Sequence, residues 1–203
     1  MPELHNPEPW LAGWLPWMRE TQGVLAFDVG ANAGEWSAIL SEIFYRVISV
    51  EPDVRCHAPE GKAYDRRAVW SHSGKAVLYG REDAAQSSLL PTHSIGRGKG
   101  APVSVVSTKR VACVTLDQLA EEHGPPDFVK IDIEGAEAFA LEGATAPCFS
   151  RCQWLIELHD TRESVLPQMH RLGYQRGRFI PNPCVGAVAG HEWAFFRLED
   201  QRD

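Results

Sequence analysis

The hydrophobic positions of this chain form short continuous runs that alternate with segments of helical spacing. The run 24–29, VLAFDV, is broken only by Asp28, which is typical of a strand buried on both faces of a parallel sheet. The turn 30–34, GANAG, follows, and apolar residues then recur at helical spacing as far as Phe44. The segment 46–52, RVISVEP, predicts a second strand. The chain therefore begins with a strand, a helix and a strand, joined by a right-handed crossover.

The same pattern continues to the end of the chain. Strands are expected in the segments 75–80, 103–107, 110–116, 127–133 and 153–159, and helices in 117–124, from Glu134 to about Leu141, and in 164–174 around Pro167. The last two apolar segments, 174–180 and 192–198, would pair as an antiparallel hairpin. This order predicts the α/β class, with a doubly wound, Rossmann-like, mostly parallel sheet that ends in a C-terminal hairpin.

Two segments lie outside this alternation. Residues 1–22 contain three tryptophans, and we expect them to form an N-terminal segment, a candidate lid, ahead of one domain over 23–203. A membrane-surface helix is the alternative, but such helices carry several basic residues, and only Arg19 is basic here. Residues 81–102 are rich in Gly, Ser and Pro, which predicts a long loop that either covers a site or is disordered. Ser87 and Ser88 in this loop either contact a substrate or only shape the loop.

Composition narrows the class of protein. A chain of 203 residues that is 44% hydrophobic can bury one sizeable core. Its net charge of −7 argues against a nucleic acid as the main partner, because phosphate binding needs clustered positive charge. No signal peptide and no apolar run of about 18 residues is visible, so no membrane span is expected. The five cysteines include no CxxC pair, which predicts free thiols and a cytoplasmic location, while no pattern specifies an oligomeric state.

The glycine turn and the acid after the second strand predict a nucleoside-containing ligand. Ligands of open parallel sheets bind where the strands end, and Gly30 and Gly34 let the backbone approach one closely. Glu51 ends the second strand and is placed to accept hydrogen bonds from both hydroxyls of a ribose. A dinucleotide such as NAD would need a G-x-G-x-x-G turn, which is absent, and Asp28 would repel its pyrophosphate. S-adenosylmethionine (SAM) has a ribose and a cationic amino-acid portion, so it fits better; the alternative is that Asp28 is a structural acceptor and the glycines only form a turn.

Several motifs together resemble the FkbM-type SAM-dependent methyltransferases. FDVGANAGEWS, VISVEP, VTLDQL, FVKIDIEGAE, LEG and IELH occur in the order and at the spacing of that family, and KIDIEGAE is the most specific of them. The resemblance spans about 24–160. It implies a class I methyltransferase fold and a SAM site formed by Asp28, Gly30, Ala31, Asn32, Gly34, Glu51, Pro52, Ala68 and Asp132. Members of this family typically methylate hydroxyl groups of sugars or natural products.

The fold implied by this resemblance brings an acidic cluster to the same edge of the sheet. Alternation places Asp132 and Glu134 on one side of their strand and Glu157 and His159 on one side of the next. Asp132, Glu157 and His159 would then meet at the strand ends. Glu134 and Glu137 stand three residues apart at a predicted helix start, where Glu137 would cap the free amides of the first turn.

These residues predict a catalytic role. His159 is the candidate general base, assisted by Asp132 and Glu134, because an imidazole accepts protons near neutral pH; a structural hydrogen-bonding role is the alternative. Asp132 and Glu157 are also candidate ligands of Mg²⁺, which prefers oxygen atoms.

The predicted function is therefore SAM-dependent O-methylation of a small-molecule hydroxylated acceptor. A SAM-dependent N-methyltransferase and a non-catalytic SAM- or adenosine-binding module are the alternatives.

Overall fold

The computed structural model describes residues 23–61, 63–91, 104–182 and 191–197. The described strands are β1 (Leu25–Val29), β2 (Arg46–Val50), β3 (Ala68–Val69), β4 (Gly74–Gly80), β5 (Ser107–Val114), β6 (Phe128–Ile131), β7 (Gln153–His159), β8 (Arg178–Pro181) and β9 (His191–Phe196). The described helices are α1 (Glu35–Ser41), α2 (Leu116–His123), α3 (Glu137–Glu142) and α4 (Arg162–Arg171), with short 3₁₀ turns at Ala84–Gln86 and Pro147–Ser150.

A six-stranded sheet with the order β2-β1-β6-β7-β9-β8 forms the centre of the fold. β2, β1, β6 and β7 are parallel, whereas β9 runs antiparallel to both β7 and β8. This arrangement confirms the predicted α/β class, the mostly parallel sheet and the C-terminal hairpin. β6 and β7 are neighbours, so the acids at their carboxyl ends lie at one edge. β3, β5 and β4 form a second, three-stranded sheet, which the sequence pattern did not separate from the first.

The alternation of side chains along the central strands builds a core on each face of the sheet. In β1, Phe27 packs on the face that carries α2, α3 and α4, whereas Ala26 packs on the face that carries α1. In β6, Val129 and Phe128 divide in the same way. Burying both faces explains why these strands have nearly continuous apolar sequences.

Three predicted boundaries were wrong. β5 is one strand over Ser107–Val114 instead of the two segments 103–107 and 110–116, because it pairs along its length with β4. The helix predicted from Glu134 begins at Glu137, since Glu134 and Gly135 have φ values of +57° and +95°, which no α-helix accommodates. The helix expected in 164–174, interrupted or started near Pro167, is α4. It begins at Arg162 and continues through Pro167.

Two further expectations concern segments that the structure does not describe, and one concerns membrane spans. The N-terminal segment 1–22 and the loop residues 92–102 lie outside the described ranges. Within those ranges, no helix has the length and apolar character that crossing a bilayer requires.

Candidate functional site

A cavity opens at the carboxyl ends of the parallel strands. Its walls enclose about 720 Å³ of space free of protein atoms, including the open mouth. The ends of β1, β2, β6 and β7 form the floor, and residues 84–89 contribute part of the wall. Of the nine predicted SAM-site residues, the wall includes Gly30, Asn32, Glu51, Pro52, Ala68 and Asp132.

The turn after β1 brings bare backbone to this cavity. Gly30 has a φ of +78°, and a Cβ atom there would lie 1.7 Å from the backbone oxygen of Asp132. The amides of Gly30 and Ala31 both donate to the carbonyl of Val50, at 2.9 and 3.1 Å. The turn is therefore held between β2 and β6, and a side chain at position 30 has no room.

Glu51 lies on the cavity wall and is held by the backbone on both sides. Its Oε2 accepts a hydrogen bond from the amide of Asn32 at 3.1 Å, and its Oε1 accepts one from the amide of Asp53 at 2.7 Å. Burial raises the pKa of Glu51, although both amides oppose this rise. Its carboxylate has acceptor capacity left for a ligand hydroxyl, since each oxygen can accept two hydrogen bonds.

Asp28 is tied to other residues below the turn. Its carboxylate accepts a hydrogen bond from the hydroxyl of Ser37 at 2.5 Å and lies 3.3 Å from the ammonium of Lys130. Lys130 also donates to the carbonyl of Gly30 at 2.7 Å and lies 3.4 Å from Asp132. Burial would lower the pKa of Lys130, but Asp28 and Asp132 raise it. Asp28, Ala31 and Gly34 are not among the residues that line the described cavity, so their predicted contact with SAM stays a prediction.

Residues 84–89 are tied to both sides of the cavity. The hydroxyl of Ser87 donates to Asp53 at 2.7 Å, and Arg55 binds both Asp53 and Ser87. On the other side, the hydroxyl of Ser88 donates to the carbonyl of Glu134 at 2.8 Å. Ser87 and Ser88 therefore anchor this segment, which is the structural role that the sequence left open, while both also line the cavity.

His159 lies behind the carboxylates of the cavity wall. Its Nε2 is 3.4 Å from Glu134, 3.8 Å from Asp132 and 3.9 Å from Glu157. These three acids line the cavity, whereas His159 is buried and is not among the lining residues. The structure thus brings together the acids and the histidine that the sequence placed at neighbouring strand ends.

Glu137 holds the other nitrogen of His159. Its Oε1 lies 2.9 Å from Nδ1 and accepts the amide of Gly135 at 2.8 Å, while its Oε2 accepts the hydroxyl of Thr161 at 2.9 Å. Burial would raise the pKa of Glu137, but His159 lowers it, so its carboxylate is charged and Nδ1 carries the proton. Helix capping, the role predicted for Glu137, does not account for these contacts with His159 and Thr161.

His191 also belongs to this cluster, although nothing in its sequence context singled it out. Its ring lies edge-on to the ring of His159, with 5.1 Å between centroids. It pairs with His159 across β7 and β9, and such a pairing between distant strands cannot be read from local sequence. Asn182 donates to Glu157 from the end of the hairpin and was also not predicted.

The electrostatics of the cluster favour shared protons. Burial and the nearby Asp132 raise the pKa of Glu157 to about 8, and burial raises the pKa of Glu134. Burial would lower the pKa of His159, but Glu134 and Glu137 raise it well above its usual value. Burial and the charge of His159 lower the pKa of His191. A group of this kind can exchange a proton with a ligand at the cavity wall.

The contacts of the predicted Mg²⁺ ligands do not support a magnesium site. Asp132 and Glu157 both lie near the imidazole of His159, and Asp132 also lies beside the ammonium of Lys130. Magnesium is usually held by one or two carboxylates and several waters, whereas these carboxylates already face nitrogen-bearing neighbours. Mg²⁺ at Asp132 and Glu157 therefore stays a prediction that the contacts of these residues do not support.

The cavity does fit SAM. Glu51 offers a carboxylate to a ribose, and the Gly30 turn exposes backbone without a side chain. Apolar side chains of Val69, Leu78 and Leu89 offer a surface for an adenine ring. The acids Asp132, Glu134 and Glu157, which also line the cavity, complement a cationic amino-acid portion.

Comparisons with known proteins identify the family of this chain. A solved structure similar to this chain is the precorrin-6y C5,15-methyltransferase from Geobacter metallireducens, with a TM-score of 0.43 and 9% sequence identity, covering 90% of this chain and 84% of that one. No curated protein matches the sequence. The model of the methyltransferase FkbM domain matches residues 28–176, which include the glycine turn, Glu51 and the acidic cluster. This chain therefore belongs to the FkbM methyltransferase domain family.

Proposed function

We propose that this protein transfers the methyl group of SAM to a hydroxyl group of a small-molecule acceptor. Membership of a SAM-dependent methyltransferase family supports the use of SAM. The set of residues on the cavity wall is the observation that favours a hydroxyl acceptor. Glu51 and Gly30 lie on its wall together with Asp132, Glu134 and Glu157, and His159 lies behind these acids.

The residues divide into a cofactor side and a proton-accepting side. Glu51 and the Gly30–Asn32 turn would hold the cofactor, which when bound supplies a methyl group activated by a positively charged sulfur. The acceptor oxygen would form a bond to the methyl carbon as the carbon–sulfur bond breaks. Its proton would pass to a carboxylate of the wall. His159, the base predicted from the sequence, lies behind these acids and would have to be neutral to accept the proton in turn. A hydroxyl needs such assistance because its own pKa lies far above 7.

An N-methyltransferase and a non-catalytic SAM-binding module are the competing functions. A neutral amine is already nucleophilic, so it needs less help from a base than a hydroxyl does. The buried acids and imidazole beside the cavity therefore favour the hydroxyl. A module without catalysis would bind SAM but would not turn over.

Cofactor binding is tested first, by calorimetric titration of the protein with SAM and with its demethylated product. Both should bind, and Glu51→Ala should weaken SAM binding by about 10-fold or more, as expected for a hydrogen bond to a charged group. Glu42→Ala, which removes an exposed carboxylate at the end of α1, is the matched control and should bind SAM normally. Binding of NAD instead of SAM would contradict the proposal.

Transfer is then tested with methyl-labelled SAM and panels of hydroxylated and amine acceptors, with and without Mg²⁺. Label should enter hydroxyl groups. His159→Ala should abolish this transfer while SAM affinity is retained. Label found only on amines would favour the N-methyltransferase, and SAM binding without transfer to either panel would favour the binding module.

A further inference from the structure

We propose that His159, His191 and Glu157, together with Asp132 and Glu134, bind a divalent transition-metal ion at the cavity wall. Mixed imidazole and carboxylate ligands suit Mn²⁺, Fe²⁺, Co²⁺ or Zn²⁺, whereas Mg²⁺ prefers oxygen alone. The site itself is inferred from geometry, and only the role of the ion in the reaction rests on the proposed function.

The orientation of His159 is that of a metal ligand. A metal-bound histidine usually donates its other ring N–H to a carboxylate, which fixes the ring and its tautomer. Here the buried Glu137 receives Nδ1–H of His159 at 2.9 Å and is itself held by Thr161 and the amide of Gly135. Nε2 is thereby directed at the acids of the cavity wall.

The spacing around Nε2 also fits a shared ion. Carboxylate oxygens of Glu134, Asp132 and Glu157 lie 3.4, 3.8 and 3.9 Å from Nε2, which is longer than ordinary N–H···O hydrogen bonds of about 2.7–3.2 Å. Two ligands of one tetrahedral zinc ion, each about 2.0–2.1 Å from the metal, are about 3.4 Å apart. Atoms at these distances could share one ion after a small contraction.

His191 supplies the independent observation. It is 5% exposed, and its Nδ1 is buried without a hydrogen-bond partner. Glu157, His159 and His191 each offer a ligand atom, and these atoms lie within 4.8 Å of one another; the same holds for Asp132, Glu134 and His159. A buried imidazole nitrogen without a partner is costly, and a metal ion bound through Nδ1 would satisfy it.

The charges of the cluster leave room for a cation. Lys130 lies between Asp28 and Asp132 and neutralises one of their two negative charges. Glu134, Glu137 and Glu157 then face His159. An ion could reach this position through the cavity, since Asp132, Glu134 and Glu157 line it.

A metal in this position would act on the acceptor. A divalent ion at the wall could bind the acceptor oxygen and lower the pKa of its hydroxyl. His159 and His191 would then serve as ligands that position the ion, and a carboxylate of the wall would take the proton.

Calorimetric titration of the chelator-treated full chain with Co²⁺, Zn²⁺, Mn²⁺ and Mg²⁺ tests the proposal. At least one of the first three should bind at one ion per chain, at least about 100-fold more tightly than Mg²⁺. The visible absorption spectrum of the Co²⁺ protein should show nitrogen and oxygen ligation. His191→Ala should weaken binding by about 100-fold, and Glu137→Gln, which loosens His159, by about 10- to 100-fold.

His170→Ala is the matched control, because it removes an exposed imidazole of α4 and should leave metal affinity unchanged. Circular dichroism of each variant verifies its fold, and the Co²⁺ spectrum of the unaltered protein gives evidence that needs no variant. Absence of binding by Co²⁺, Zn²⁺ and Mn²⁺, or equal affinity in His191→Ala, overturns the proposal. SAM titrations of the same samples separate the two proposals, since SAM binding without metal binding would refute only the metal site.

Discussion

At the scale of single residues, the site depends on positions where only one kind of side chain is compatible with the backbone around it. Gly30 is such a position, because its positive φ and the carbonyl of Asp132 both exclude a Cβ atom. The same carbonyl belongs to a residue of the acidic cluster. A change at position 30 would therefore disturb the cofactor side and the acidic side of the cavity together.

Replacing Gly30 with alanine should lower the free energy of unfolding by about 2–5 kcal/mol, from the left-handed backbone and the clash combined. Gly173→Ala is the matched control, because its φ is +98° and nothing lies within 4 Å of the added Cβ. It should cost only the backbone term, about 1–2 kcal/mol. Urea unfolding of both variants measures the difference, and equal losses would show that contact with Asp132 is unimportant.

At the scale of elements, the segment 84–89 connects the cofactor side of the cavity to the acidic side. Asp53 follows β2 and holds Ser87 and Arg55, and Arg55 in turn donates to the carbonyl of Arg81 at 2.7 Å. The second anchor, from Ser88 to the carbonyl of Glu134, reaches the turn before α3. The position of this segment is therefore decided by contacts with residues more than 30 positions away.

The Asp53 anchor should make the protein sensitive to acid. Burial would raise the pKa of Asp53, but hydrogen bonds from Arg55 and Ser87 lower it below its usual 3.8. A lowered folded-state pKa stabilises the fold above the unfolded value, and this contribution is lost as the pH falls through the folded value. Urea unfolding from about pH 5 to about pH 3 should show a larger loss for the unaltered protein than for Asp53→Asn.

The same variant tests whether the anchor matters for ligand binding. At pH 7, Asp53→Asn should weaken SAM binding by about 5-fold, the equivalent of about 1 kcal/mol for one hydrogen bond. Glu122→Gln is the control, since it breaks an ion pair with Arg67 instead of the Asp53 anchor. Identical affinities for SAM in both variants would show that residues 84–89 keep their position without Asp53.

At the scale of the whole molecule, the cavity joins parts of the chain that are far apart in sequence. Its wall contains residues from Val29 to Glu157 and includes both sheets through Ala68, Val69 and Leu78. A ligand in this cavity would contact several elements at once, so it should stabilise the protein as a unit.

Binding of SAM should therefore raise the melting temperature. At a SAM concentration 100 times the dissociation constant, the added stability is about 2.7 kcal/mol, which corresponds to a rise of about 5–10 °C for a chain of this size. Scanning calorimetry with and without SAM measures it. Glu51→Ala at the same SAM concentration should show a smaller rise, and an equal rise with NAD would contradict the assignment of the cavity.

The sequence by itself determined the order of the elements, the fold class and the family. Buried strands are apolar on both faces and helices carry apolar residues at regular spacing, so both leave a local pattern that can be read directly. The motifs around Gly30, Glu51 and Asp132 could be read as well. Each places a glycine or an acidic residue at the end of a buried strand, where these residue types have few purely structural uses. Five of the six predicted residues that the structure places on the cavity wall belong to these motifs, namely Gly30, Asn32, Glu51, Pro52 and Asp132.

The tertiary structure alone decided how the acidic cluster is completed. Local sequence indicated Glu137 as a helix cap, but the left-handed backbone at Glu134 and Gly135 starts the helix later and directs Glu137 to His159. His191 joins through the pairing of β9 with β7, and Ser88 is tied to the cluster by its hydrogen bond to the carbonyl of Glu134. These contacts arise between segments that are distant in sequence, and they depend on how the whole chain packs, so no short stretch of residues contains the information that specifies them.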